Sequence, residues 1–292
     1  MTYGQHQSFY LRDRWLNKAI KHLKQDERFF YDDEAFEKMG LGKNMVKSLR
    51  FWVVATGVVE EKFNEERKKI HLLTPLGEIL YKYDKFIQFN DTASILHYHL
   101  SSQREPATTW FWFFNIFSNG AISKDDLHIS LVDWVNTHEE KKFSERSLKR
   151  DVDCMVKLYT AGQSVIDPEE VIQSPINKTG LIKETKGMVI KKQPSIADIG
   201  ESALYYTLAK YAELHEINNV SVEEITTNKG LWGKVFNLSR PTIVKALELL
   251  TYHPKYPLQF TRTNNLDTVR LPGVSSLELL EFEYKRKAET LV

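Results

Sequence analysis

The sequence is poor in cysteine and has no long apolar run. Cys154 is the single cysteine of 292 residues, so an intramolecular disulfide and a zinc site built on several thiolates are excluded. The richest apolar stretch, residues 110–117, is far shorter than the roughly 20 residues that span a bilayer. The first ten residues also lack the basic and then apolar order of a signal peptide. We therefore expect a protein of the reducing cytoplasm with no membrane partner.

An excess of charge of one sign is missing as well. The 40 Lys and Arg residues face 39 Asp and Glu residues, which gives a net charge of +1. The global charge therefore neither attracts a polyanion nor argues against binding one, because local patches create the relevant field. A content of 42% hydrophobic residues is typical of a packed globular protein and not of a disordered one.

The length predicts more than one domain, since domains usually hold roughly 100 to 200 residues. The patterns described below divide the chain into an N-terminal domain (1–90), a helical middle domain (91–200) and a C-terminal domain (201–292).

Residues 32–83 have the pattern of two helices followed by a hairpin. The stretch DDEAFEKM predicts a short helix with an aspartate cap, and Gly40 and Gly42 predict a tight turn. Val58 and Val59 look extended, and the charged stretch 60–69 suits an exposed hairpin tip. Pro75 opens a further helix. This is the order of a winged helix-turn-helix unit, whose second helix enters the major groove of DNA, although a helical hairpin with a decorative loop gives a similar pattern.

The second helix of this unit has a basic face. Its apolar side chains recur at helical spacing at Met45, Leu49, Trp52 and Val53. The polar positions are Lys43, Asn44, Lys47 and Arg50. Basic residues on a recognition helix hold phosphates and set the register, while neighbouring polar side chains reach base edges. These four residues are predicted to contact double-stranded DNA. The alternatives are a solvated helix face and a winged-helix unit that binds protein.

A related order appears in residues 125–159. A helix containing Leu127 and Leu131 precedes the stretch SERSLKRDV, where Ser144 and Ser147 offer alternative helix caps. The second helix of this pair carries two further predicted DNA contacts, Lys149 and Arg150.

The C-terminal segment repeats the order more clearly. The stretch LSRP leads into an amphipathic helix, TIVKALELL, and residues 258–271, which turn at the two asparagines 264 and 265, suit a wing. Arg240, Thr242 and Lys245 are the predicted DNA contacts here. The predicted fold class is therefore mainly α with small β-hairpins, built from multiple winged helix-turn-helix-type units.

Two arginines near the N-terminus complete the predicted DNA contacts. Arg12 and Arg14 lie beside aromatic residues in the stretch SFYLRDRW, ahead of a predicted helix. For Arg12 two interpretations stay open: it contacts a phosphate, or it pairs with Asp13 or Glu34.

Three other features have a functional and a structural interpretation. The aromatic block ATTWFWFFN (107–115) offers stacking surfaces for unpaired bases, but burial is favoured because an exposed run this apolar promotes aggregation. His97 and His99 offer metal ligands with Asp91, but a two-residue spacing on a helix turns the two rings apart, which favours structural roles.

The third feature is acidic. Asp151 and Asp153, with Glu139 and Glu140, offer magnesium ligands, but their mixing with basic residues favours surface charges. The sequence has no phosphate-binding glycine loop, serine-nucleophile elbow or metalloprotease helix motif, so the catalytic and metal-ligating residues remain unassigned.

Several segments together resemble one bacterial family. They are GQHQSFYLRDRWLNKA, LGKNMVKSLRFW, LTPLGEILYKYD, LHYHL, ATTWFWFFN and SLKRDVDCMVKLY, and the similarity extends from Gly4 to about Tyr211. The family is the SspB type of DNA phosphorothioation systems, long catalogued as a domain of unknown function.

The resemblance implies a function that the residue patterns do not show. SspB-type proteins are described as DNA nicking enzymes that open a strand for sulfur insertion in phage-defence systems. The implied partners are double-stranded DNA, a cysteine desulfurase and sulfur-transfer proteins, and a homodimer is a further expectation. A divalent cation, Mg²⁺ or Mn²⁺, is expected if the protein nicks DNA. The alternative is a non-catalytic winged-helix transcription regulator or assembly subunit.

Overall fold

The structure is a computed structural model that describes residues 3–118, 120–161, 173–263 and 266–290. In these ranges the helices are α1 (Trp15–Leu23), α2 (Ala35–Met39), α3 (Lys43–Ala55), α4 (Pro75–Tyr83), α5 (Asn90–Ser101), α6 (Thr108–Asn115), α7 (Lys124–His138), α8 (Glu145–Thr160), α9 (Ile196–Ile199), α10 (Glu201–His215), α11 (Val222–Thr227), α12 (Trp232–Val235), α13 (Arg240–Leu250) and α14 (Ser276–Thr290). The strands are β1 (Val59–Phe63), β2 (Lys69–Leu73), β3 (Ala121–Ser123), β4 (Ile182–Thr185), β5 (Met188–Lys191), β6 (Asn219–Ser221), β7 (Gln259–Thr263) and β8 (Leu266–Arg270). The prediction of a mainly α fold with small β elements is confirmed.

The first predicted unit has the expected order of elements. Helix α2 ends at Gly40, whose φ of 62° lies in the left-handed region that a residue without Cβ adopts freely. Strands β1 and β2 pair in antiparallel register from Val59 opposite Leu73 to Phe63 opposite Lys69, so the tip is shorter than the charged stretch suggested. Thr74 caps α4 by accepting a hydrogen bond from the Gly77 amide.

The predicted aspartate cap of the first helix is wrong. Helix α2 begins at Ala35 behind Glu34, and no side chain caps it. The Asp32 carboxylate accepts a hydrogen bond from the Glu34 amide and pairs with Lys38 at 2.5 Å, so it closes the turn before the helix. Ser144 stands at the cap position of α8 without a capping hydrogen bond, and Ser147 lies inside the helix.

The middle and C-terminal segments share a sheet arrangement that the sequence patterns did not predict. In each segment a short strand that precedes the first helix, β3 or β6, pairs with the last strand of the hairpin, β5 or β8. The strand orders are therefore β3-β5-β4 and β6-β8-β7. Each short strand ends in a serine, Ser123 or Ser221, whose side chain caps the helix that follows. The predicted turn at 264–265 lies outside the described residues, but β7 and β8 flank it and pair with each other. Whether these segments are winged-helix units stays a prediction.

The aromatic block of α6 lies in the core, as the favoured interpretation predicted. Trp110, Trp112, Phe113 and Phe114 are each 1 or 2% exposed. Buried apolar residues of the described ranges form one cluster that extends from Leu11 to Tyr284. The two domain boundaries drawn from the sequence stay a prediction, and the described core is continuous across them. No helix in the described ranges is long and apolar enough to span a membrane.

Helix α14 forms buried hydrogen bonds with both N-terminal and C-terminal parts of the chain. The Tyr284 hydroxyl lies 2.6 Å from the hydroxyl of Thr92, which donates a hydrogen bond to Asp84 at 2.6 Å. Buried Glu283 accepts hydrogen bonds from Ser202 and His253 at 2.9 and 3.1 Å. These contacts link the N-terminal helices α4 and α5 with the C-terminal helix α10.

Three histidines of the interior have lowered pKa values: His71 and His97 are fully buried, and His99 is half-buried. His97 lies 2.6 Å from both the Tyr159 hydroxyl and the Val235 carbonyl oxygen, and His99 lies 3.0 Å from the Tyr206 hydroxyl. These partners confirm the structural interpretation of His97 and His99. Desolvation by burial lowers the pKa of His97, His99 and His71 to about 4, so all three imidazoles are neutral at pH 7.

We expect the free energy of unfolding to fall as the pH falls from 6.5 towards 4. The unfolded chain takes up a proton at each histidine near pH 6.5, whereas the folded chain does so only near pH 4. Three such groups give a slope of about 4 kcal/mol per pH unit midway between the two pKa values. Urea unfolding across this pH range measures the slope, and His71→Phe should reduce it by about 1.4 kcal/mol per pH unit, which corresponds to one proton. An unchanged slope in the variant contradicts the assignment.

We also expect Gly200→Ala to destabilise the protein by about 3 kcal/mol. Gly200 has a φ of 91°, and a Cβ there would lie 2.2 Å from a carboxylate oxygen of Asp91. Gly273→Ala is the matched control, since no described atom lies within 4 Å of the place that its methyl group would occupy. Thermal unfolding measures both, and equal melting temperatures would refute the close-approach argument.

Candidate nucleic-acid interface

The polar face of α3 is basic and open. Lys43, Asn44 and Lys47 are exposed, and Arg50 is half-buried, while Leu49 on the opposite face is fully buried. No ion pair between described residues involves the three cationic side chains of this face. The charges of α3 are therefore available to an anion.

Aromatic rings orient two of these cations. The Lys43 ammonium lies 4.6 Å from the centre of the Phe36 ring, and the Arg50 guanidinium lies 5.4 Å from that of Tyr31. A cation over a ring face keeps its hydrogen-bond donors free for another partner. The two contacts therefore hold the basic side chains in place without neutralising them.

A cleft of about 420 Å³ opens beside this face. Its cationic lining consists of Lys47 and Arg50 from α3 and Lys69 from β2, and the N-terminal segment adds Gln5 and Gln7. The glutamines were not among the residues predicted from sequence. Their stretch GQHQ carries no charge and no helical periodicity, so no pattern placed it beside α3.

The hairpin next to the cleft is charged but largely neutralised. Lys69 pairs with Glu61 at 2.5 Å, and Lys62 and Lys68 pair with glutamates of the same hairpin. Burial alone would raise the pKa of Glu61, but the hydrogen bond and charge of Lys69 keep it below its ordinary value. Buried His71 lies 3.5 Å from Glu61 on the inner side of the hairpin. Apart from exposed Arg67 at the hairpin tip, the open positive charge of this unit therefore comes from α3.

The N-terminal segment joins α3 to α8. Buried Asp151 of α8 accepts hydrogen bonds from the Gly4 amide at 2.8 Å, from His6 at 2.7 Å and from Thr109 at 3.0 Å. A Cβ at Gly4 would lie 3.5 Å from both Arg150 and Ser147. The predicted contact Arg150 therefore lies next to the segment that also lines the α3 cleft.

Most of the remaining predicted DNA contacts, unlike those of α3, form ion pairs or hydrogen bonds with other side chains of the protein. Lys149 lies 3.7 Å from Asp125 at the exposed surface. Arg240 pairs with Glu223 at 3.3 Å and with Asp267 at 3.0 Å. Thr242 shares a 3.0 Å hydrogen bond with the hydroxyl of Ser239, whereas Lys245 is exposed. The basic side of α13 is therefore partly neutralised, unlike that of α3.

The two N-terminal arginines, Arg12 and Arg14, have different surroundings. The Arg12 guanidinium stands 5.4 to 5.9 Å from the ring centres of Phe9, Tyr10 and Trp15, and neither Asp13 nor Glu34 pairs with it among the described residues. Arg14 is exposed and lines a second cleft, of about 350 Å³, together with Lys178.

The proposed metal ligands do not come together. Asp151 is occupied by three protein donors, and Glu139 accepts a hydrogen bond from Arg104 at 2.8 Å. Asp91 pairs with Lys287 and accepts a hydrogen bond from the Ala203 amide at 3.1 Å. Within the described ranges no group of three or more His, Cys, Asp or Glu side chains is placed to hold a metal ion. The described residues thus offer no preformed protein cage for a divalent cation.

A half-buried lysine, Lys191, was not among the residues singled out from the sequence. Lys191 of β5 donates hydrogen bonds to the carbonyl oxygens of Phe113 and Phe117 at 2.5 and 2.6 Å. Desolvation and the nearby charge of Lys234 lower its pKa to about 7. Because its donors are held by carbonyls at the end of α6, the lysine closes that helix end.

The fold and the basic face define a mainly helical protein with small antiparallel sheets and an anion-accessible helix surface. The chain belongs to the family described as "Protein of unknown function (DUF4007)", which matches residues 3–284. A search of the curated proteins gives no match.

Two solved structures share the fold. "Magnesium ion-bound SspB crystal structure" has a TM-score of 0.87 at 22% identity, and "SspB crystal structure" has a TM-score of 0.85 at 21% identity. Each alignment covers 98% of this chain and 87% of the other chain. The resemblance to the SspB-type family is confirmed by the family match and by the fold.

We expect Lys47→Ala to weaken binding to duplex DNA more than Arg240→Ala does. Lys47 has no described carboxylate partner, whereas Arg240 is already held by two carboxylates. Loss of one phosphate contact lowers the slope of log K against log salt by about 0.9. Fluorescence anisotropy with a short labelled duplex at several salt concentrations measures both variants. A larger effect at Arg240 would move the main interface to the C-terminal unit.

Proposed function

We propose that this chain is a cytoplasmic, double-stranded-DNA-binding protein of a bacterial DNA phosphorothioation system. The observation that carries the proposal is the α3 face, where Lys43, Lys47 and Arg50 have no described carboxylate partner and the last two line a cleft. Such a face attracts the phosphate backbone and releases its counterions. The family membership and the shared fold with SspB support the link to phosphorothioation and phage defence.

The three repeated segments are proposed to be winged-helix-type units. The sheet orders β3-β5-β4 and β6-β8-β7 support this assignment, because in each a strand before the first helix pairs with the last strand of the hairpin. Helices α3, α8 and α13 then take the recognition position. Among them, α3 is the proposed main contact, since its charges are the least neutralised.

Strand nicking is proposed from the family resemblance. Hydrolysis of one phosphodiester would open the DNA strand for sulfur insertion by a cysteine desulfurase and its sulfur-transfer partners. The proposal that a divalent cation takes part is supported by one similar structure, which is described as magnesium ion-bound. The described residues of this chain form no three-ligand cage, so substrate phosphates and water would supply most of the ligands.

A non-catalytic regulator or assembly subunit is the second candidate. It is favoured by the same absence of a cluster of three or more carboxylate or histidine side chains in the described ranges. A regulator binds a defined duplex without altering it, and a homodimer would give its site two-fold symmetry.

Binding and nicking measured on the same preparation test the proposal. We expect the Lys43→Ala, Lys47→Ala, Arg50→Ala triple variant to bind duplex DNA more weakly, with a salt slope reduced by about 2 to 3. The control removes three exposed lysines elsewhere, Lys21, Lys85 and Lys285, and should bind like the wild type. Supercoiled plasmid with Mg²⁺, Mn²⁺ or EDTA reports nicking.

The outcomes separate the two candidates. Binding without nicks under every condition supports the non-catalytic role, whereas nicking that fails in the triple variant and persists in the control supports the nickase. Equal binding by both triple variants would remove α3 from the interface.

A further inference from the structure

The N-terminal segment, residues 4–9, is anchored in the protein interior at both of its ends. His6 is 1% exposed and bonds to buried Asp151, and the Ser8 amide donates a hydrogen bond to its other ring nitrogen at 3.0 Å. The Phe9 carbonyl oxygen accepts hydrogen bonds from the Ser48 hydroxyl at 3.1 Å and from the Trp52 indole at 2.9 Å. Both donors belong to α3, so the segment is fixed relative to that helix.

The backbone between these anchors is held in an unfavourable conformation. Gln7 and Ser8 have φ angles of 50° and 66°, in the left-handed region that side chains with a Cβ rarely adopt. Such a conformation persists only where the surroundings determine it, and it is concentrated at ligand-contacting sites. The contacts at both ends of the segment therefore determine this conformation.

The loop presents two glutamines to the basic cleft. Because His6 points into the core, Gln5 and Gln7 on either side of it line the cleft with Lys47 and Arg50. Gln5 is exposed and Gln7 half-buried, and neither side-chain amide is hydrogen-bonded to another described residue. Two amides without a described hydrogen-bond partner thus lie beside two cations of α3.

We propose that Gln5 and Gln7 read base edges of the bound duplex, with adenine as the preferred base. This inference rests on the proposed DNA binding through α3. Lys47 and Arg50 hold phosphates, which sets the register but carries no sequence information. A glutamine amide offers one donor and one acceptor, which match N7 and the N6 amino group of adenine in the major groove. His6 and Asp151 act as positioning residues for this pair.

Selection from a random duplex library tests the role in specificity. The wild type should enrich sites with a preferred adenine, and the Gln5→Ala, Gln7→Ala double variant should lose that enrichment at one or two positions. Total retention of DNA and the salt slope should change little, because phosphate contacts remain. Gln25→Ala, at an exposed position beyond α1, is the matched control and should enrich like the wild type.

Replacement of the enriched adenine by 7-deazaadenine tests the contact itself. It removes the N7 acceptor and leaves Watson–Crick pairing intact. The wild type should lose affinity by about tenfold, whereas the double glutamine variant should bind both duplexes equally. His6→Asn should behave like the double variant if the anchor positions the glutamines, and its thermal unfolding shows whether the fold is kept. Gly4 and Thr109 remain as partners of Asp151 in that variant.

Two results would overturn the proposal. One is a glutamine variant that keeps the wild-type base preference, and the other is a wild type that binds DNA without any preference. In both cases the salt dependence of DNA binding by the wild type still tests the proposed function, independently of base preference. If the wild type does not bind duplex DNA at all, the proposed function fails together with this inference.

Discussion

The buried carboxylate of Asp151 is the contact on which the candidate interface depends. It lies on α8 and receives donors from the N-terminal segment and from α6, three parts of the chain that are distant in sequence. The Ser8 amide donates to one ring nitrogen of His6, so the other carries the proton that bonds to Asp151. Removal of one partner from a buried pair leaves a polar group without compensation, which costs several kcal/mol. The placement of the N-terminal segment beside α3 therefore depends on the second unit.

The three repeated segments have a similar order of elements but different electrostatics. On α3 two of the three cations lie over aromatic rings, whereas on α13 the cation Arg240 is held by two carboxylates. An ion-paired arginine must give up its partners before it binds a phosphate, and this lowers its net contribution. Similar architecture thus does not imply equal affinity for DNA.

The sequence was sufficient for much of the local structure. Periodicity and glycine position predicted α2, the turn at Gly40, α3 and the hairpin, because these depend on contacts close along the chain. The preferred structural interpretations of His97, His99 and the aromatic block were also correct, since burial follows from apolar surroundings. The aspartate cap was wrong because Asp32 finds a better partner in Lys38, which only the folded turn brings close.

The basic face of α3, from Lys43 to Arg50, was determined by the sequence alone, because helical spacing places those side chains on one side of the helix. Tertiary structure decided which cations stay open, since Arg240 of α13 pairs with Asp267 of β8, whereas Arg50 contacts the Tyr31 ring and no carboxylate. It also placed Gln5 and Gln7 in the cleft, through a bond between residues 6 and 151. No local pattern encodes such a pairing, because it depends on how distant helices pack.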